Sequence, residues 1–114
     1  MHGLWISCHS SPELLSTDLQ SAKYHVFSDI DPMISTFNGQ VNYYHYHQKN
    51  YSYLPINHLA TVLKRLYTNN NTLLLRGDII IYSSSDGFPH IIDDSIPYYF
   101  LQEIAMHTSG YNYV

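Results

Sequence analysis

Eight histidines and one cysteine carry most of the chemistry open to this 114-residue chain. His58 follows Pro55-Ile56-Asn57 and opens the most clearly periodic apolar stretch, so it falls in the first turn of a helix. Free backbone N–H groups and the helix dipole draw phosphate to such a place. An imidazole there can hand a proton to the leaving oxygen of an RNA phosphodiester. A solvent-exposed or hydrogen-bonded helix histidine is the simpler reading of the same residue.

Other residues offer other chemistries. His45 and His47 stand two apart on one strand face, where two imidazoles can share a metal. A third ligand, His25 or Asp31, would have to approach; a solvated strand face is the simpler reading, and no metal is expected. Cys8 precedes a helix-start signal, and a Gly77-Asp78 strand and His90 follow later, the order of a thiol hydrolase. A helix N-terminus favours the thiolate. A buried thiol at a strand end is the alternative. Asp29, Asp31, Asp93 and Asp94 sit at turns or helix starts, where carboxylates cap backbone. Ser10 and Ser11 fit the same capping role.

These residues must be positioned by a small set of elements. Leu4 to Cys8 reads as a strand anchored by Trp5. Ser11-Pro12-Glu13 predicts a short helix carrying Leu14, Leu15 and Leu19, and Lys23 to Phe27 returns to strand character. Asn38-Gly39 is a hairpin signal between Ile34–Phe37 and Gln40–His47. The second arm places Val41, Tyr43, His45 and His47 on one side and Asn42, Tyr44 and Tyr46 on the other. Neither side is plainly dry, so an exposed or dimer-facing strand is expected. Pro55 to Tyr67 predicts a helix with Ile56, Leu59, Ala60, Leu63 and Leu66 inward and His58, Thr61 and Arg65 on a polar face. Leu73–Leu75 and Ile79–Tyr82 read as a buried hairpin turning at Arg76-Gly77-Asp78. A last helix from about Ser95 to His107 and a closing strand at Tyr111–Val114 complete the order. The expected class is α+β: one domain over residues 1–114, with a single mixed sheet of about five or more strands and two main helices packed on it.

Composition narrows the function. Charged residues are 12% and apolar residues 45%, which excludes a charged, disordered tail. A net charge of −4 argues against a basic surface for duplex DNA. One cysteine excludes an intrachain disulfide and a Cys-rich zinc site. No apolar run approaches the roughly 18 residues of a membrane span, and no basic-then-apolar leader opens the chain, so a soluble intracellular protein is expected. The twelve tyrosines could offer flat surfaces to a partner chain or to bases.

The features also form an ordered series. Leu4-Trp5-Ile6-Ser7-Cys8-His9-Ser10-Ser11-Pro12-Glu13-Leu14-Leu15 is a strand, a serine turn and a Leu-Leu helix start. Ile56-Asn57-His58-Leu59-Ala60-Thr61-Val62-Leu63 is a histidine helix start with a following threonine. Asn69 to Tyr82 holds an Asn turn, an apolar strand, Gly-Asp and a second apolar strand, and Asp86-Gly87 is an acidic loop. Over nearly the whole chain this series resembles the viral ring nucleases, the small type III anti-CRISPR proteins of archaeal viruses and phages.

The resemblance implies a homodimer with a ligand pocket across its dyad. It implies metal-independent cleavage of cyclic tetra-adenylate, without cofactor, in the host cytoplasm. It makes His58 the general acid and brings Ser11 and Asp86 near the ligand. The chain departs from the family where Asn57 replaces a glycine, Cys8 an asparagine and Ser83 an arginine, and where the arginine after the Asn turn is missing. Arg65 or Arg76 would then have to supply the missing charge. Binding without cleavage is therefore also expected of such a chain. Two rivals stand beside it: a non-enzymatic viral interaction module using the tyrosine-rich hairpin, and a thiol hydrolase using Cys8 and His90.

Overall fold

The computed structural model describes residues 3–9, 12–15, 18–37, 41–47, 49–68 and 72–83, together with Gln102. The described elements run β1 (Gly3–Ile6), β2 (Glu13–Leu15), α1 (Leu19–Phe27), β3 (Met33–Thr36), β4 (Val41–His45), α2 (His58–Tyr67) and β5 (Ile79–Ser83). The α+β class with one sheet and two helices is as expected. The strands lie in the order β2-β1-β5-β4-β3. Every described pairing is antiparallel, so the sheet is not the mixed one expected. The reason lies in the connections. Two joins link neighbouring antiparallel strands, and α2 returns the chain beside β4 running the opposite way.

Helices cover both faces. On one, Leu59, Ala60 and Leu63 of α2 meet Leu4, Ile6, Val41, Tyr43, Ile79 and Ile81. On the other, Leu19, Ala22 and Phe27 of α1 meet Leu15, Tyr44, Ile80 and Tyr82. The unbroken Ile79–Tyr82 run follows from this, because a strand covered twice has no polar side to keep. Each fully buried isoleucine there contributes about 1.5–3 kcal/mol of transfer free energy.

β4 corrects a second expectation. It is neither exposed nor dimer-facing: Tyr43 is 2% and Tyr44 3% exposed. The alternation along it was legible, but each side has its own helical layer. The rings fill those layers, Tyr44 stacking on Tyr82 at 4.6 Å and Phe37 tilting against Tyr43 at 4.4 Å.

The first helix is also displaced. Glu13–Leu15 forms β2 against β1, with Leu4 opposite Leu14, so Ser11-Pro12-Glu13 starts no helix there. The helix is α1, capped by Asp18, whose Oδ1 accepts from the Gln20 N–H at 3.2 Å. Lys23–Phe27 is therefore helical rather than extended. Leu19, Ala22 and Phe27 keep a helical spacing that the aromatic Tyr24 to Phe27 run conceals.

α2 begins at His58 rather than Pro55, after an Asn57 cap. Two of its residues change sides: Leu66 is half-exposed, and Thr61 is buried. Thr61 explains why Leu73–Leu75 is not the expected strand. Its hydroxyl donates to the Leu75 carbonyl at 3.3 Å and accepts from the Leu75 N–H at 2.9 Å. The Asn57 N–H donates to the same carbonyl at 2.8 Å, and Arg65 Nε donates to the Leu73 carbonyl at 3.0 Å. Groups on α2 and its cap thus take the place of a strand ladder. Asn38-Gly39, the closing strand and all of the expected last helix but Gln102, which is helical, lie outside the described residues.

Candidate functional site at the opening of α2

The opening of α2 meets the exit of β1 and the entry to β5, and Asn57 ties the three. Its Nδ2 donates to the carbonyls of Ile6 and Gly77, both at 3.0 Å. Its Oδ1 accepts from the Ala60 N–H at 3.1 Å. Asn57 is buried, so these bonds are shielded from water. Asn57 is thus a helix cap and a clamp.

Gly77 beside it adopts φ +73°. A Cβ there would lie 2.6 Å from the Tyr46 ring, so both the backbone turn and the space require glycine. The Gly77 N–H donates to the Pro55 carbonyl at 2.9 Å, closing the loop onto the strand entry.

His58 stands first in α2, exposed, with no hydrogen bond to its ring among the described residues. This is the position expected of it. Ser11 and Asp86, its expected companions, lie outside the described residues. Arg65 and Arg76 are each held by a carbonyl: Arg65 through Nε by Leu73 at 3.0 Å, and Arg76 through Nη1 by Leu54 at 2.9 Å.

Cys8 lies nearby in a different electrostatic state from a nucleophile. Asp78 accepts from the Cys8 backbone N–H through Oδ1 at 3.0 Å and from Trp5 Nε1 through Oδ2 at 3.1 Å. The thiol faces the Pro55 carbonyl at 3.7 Å. Burial, then the Asp78 charge and hydrogen bond, push the thiol up to about 11. A thiol so held stays protonated at neutral pH, the reverse of what a thiol hydrolase needs. His90, the other half of that reading, lies outside the described residues.

Tyrosines rise from this end of the sheet. Tyr46 donates to the Val26 carbonyl at 2.8 Å and packs edge-on to Phe27 at 4.8 Å. Tyr51 follows at 5.4 Å from Tyr46, then Tyr53 at 6.1 Å from Tyr51, the last 77% exposed. Burial first, then Asp78, raises the Tyr46 phenol.

The His45–His47 pair is not assembled for metal. His45 Nδ1 donates to the Tyr46 carbonyl at 2.9 Å, which fixes the tautomer, and Nε2 accepts from Ser35 Oγ at 2.8 Å. Among the described residues no three His, Cys, Asp or Glu side chains converge as ligands.

The roles of Asn57 and Asp78 were missed from sequence. Asn immediately before an apolar helical stripe is a capping signal that could have found the first. Asp78 meets Trp5 and Cys8 across 73 and 70 positions, which no local pattern encodes. Among the described residues no helix is long and apolar enough to cross a membrane. Compared with family models, curated proteins and solved structures, the chain matches none of them.

Proposed function

We propose that the chain is a divergent viral ring nuclease that binds cyclic tetra-adenylate at the opening of α2 and cleaves it in the host cytoplasm. A homodimer supplies the symmetric pocket, and Ser11 and Asp86 flank the ligand. The observation that carries this reading is the place of His58: exposed, first in a capped helix, with its ring free of hydrogen bonds among the described residues. The chemistry needs no metal. The ribose 2′-oxygen bonds to the adjacent phosphorus and loses its proton to solvent. The P–O5′ bond breaks, and the imidazolium of His58 gives its proton to the departing 5′-oxygen. The products are a 2′,3′-cyclic phosphate and a 5′-hydroxyl.

The interaction-module rival is weaker on this fold, because Tyr43 and Tyr44 of its contact strand are buried. Labelled cyclic tetra-adenylate incubated with the chain in EDTA tests the proposal. Cleavage lost in His58→Ala supports it. Tight binding without turnover makes the chain a sponge, and absence of both binding and cleavage removes the reading.

A further inference from the structure

A groove of about 430 Å³ lies between β3, β4, α2 and the segment 73–75. Its size falls within the range of small-molecule sites. It shares no residue with the site assigned to His58. Two ammonium groups, Lys49 and Lys64, line it beside the imidazoles of His45 and His47, and no Asp or Glu lines it among the described residues. The whole chain has only five lysines and arginines and a net charge of −4, so this concentration runs against the background.

Lys64 is the central group. Its ammonium sits over the rings of Tyr43 and Phe37, at 5.4 and 5.8 Å from their centroids, and donates to the Thr36 carbonyl. It meets no carboxylate among the described residues, and burial lowers its pKa. A half-buried cation without a counter-charge gains most from an arriving anion. Ser35 Oγ, 2.8 Å from His45 Nε2, opens on the same groove. The ammonium groups of Lys49 and Lys64 are point-like donors. They suit a tetrahedral phosphoryl group, whereas a flat carboxylate is best held by an arginine fork, and no arginine lines the groove. Met33, Leu73 and Leu75 add apolar wall.

We infer that this groove binds a phosphoryl group carried on a small apolar or aromatic body, with Lys64 and Lys49 meeting its charge and Met33, Leu73 and Leu75 meeting the body. Phenyl phosphate titrated into the isotope-labelled full chain tests this by NMR, with inorganic phosphate and phenol as parallel arms. The expected result is saturable shifts at Ser35, His45, His47 and Leu75, weaker ones with inorganic phosphate, and none with phenol. Lys64→Met should weaken binding at least tenfold. Because the Lys64 ammonium sits over two aromatic rings, Lys49→Gln at an exposed position is the second variant, expected to weaken binding severalfold with an unchanged melting temperature. Phenol binding as well as phenyl phosphate overturns the inference. So do shifts that leave Ser35 and His45 unmoved, or two variants that bind like the parent.

Discussion

Asn57 Nδ2 lies 3.0 Å from the Ile6 carbonyl oxygen, joining the cap of α2 to the exit of β1 across 51 positions of chain. The bond makes the start of the helix and the end of the strand one mechanical unit. Asn57→Ala removes a cap worth about 1 kcal/mol and leaves two buried carbonyls short of a donor, for a total loss of about 2–4 kcal/mol. Asn57→Gly, which keeps a residue tolerated at a helix cap, should also destabilise, because the carbonyls of Ile6 and Gly77 still lose their donor. Urea unfolding of both variants checks this; a glycine variant as stable as the parent contradicts the clamp.

The turn beside that clamp predicts a steric effect. Gly77→Ala places a methyl against the Tyr46 ring at positive φ. The backbone alone costs about 1–2 kcal/mol, and the displaced ring adds to it. Thermal melting should show a lower midpoint, and near-ultraviolet dichroism should show altered tyrosine packing.

Cys8 should be slow to react. Its thiol stands at about 11 against an ordinary value of 9.0, so alkylation by iodoacetamide at pH 8 should run well below that of a free thiol. Asp78→Asn removes the repelling charge and should speed the reaction. Linkage follows with a definite sign. A group raised on folding contributes stability below its unfolded value and loses it as pH climbs through the folded one. Stability should therefore fall between about pH 9 and pH 11, with the raised phenols of Tyr43 and Tyr46 acting in the same direction.

His45 predicts the opposite limb. Burial, with Lys64 and His47 adding to it, holds its pKa below 6.5, while the Tyr46 carbonyl opposes them. The unfolded chain then binds the proton more readily, so stability is present above pH 6.5 and declines as pH falls below it. Denaturation midpoints from pH 7.5 to 5 should slope in the parent and flatten in His45→Gln.

Residues with a local signature were legible before any coordinates. Leu59, Ala60 and Leu63 repeat at the helical period and are buried as read. Asn38-Gly39 marked a turn, and β3 and β4 pair on either side of it. Where one local signal competed with a distant partner, the distant partner won. Ser11-Pro12-Glu13 looks like a helix start, but β1 needs a neighbour and takes Glu13–Leu15. Leu73–Leu75 has strand composition, but Thr61 captures its backbone. Tyr43 and Tyr44 looked surface-bound because nothing in their own segment announces two covering helices. At the site, the position of His58 was readable from the cap and stripe around it. The basic groove was not, because Ser35, His45 and Lys64 come from three separate elements.

One consequence follows from the strand that is hydrocarbon on both sides. Ile79, Ile80 and Ile81 are nearly interchangeable, so a slip of β5 by one position would swap them between layers with little change in oiliness. Proofreading of alignment therefore falls to the hydrophilic grips at the threshold of that strand. Asp78 must find the Trp5 indole, and the Gly77 carbonyl must find the Asn57 amide, and either match fails in a shifted frame.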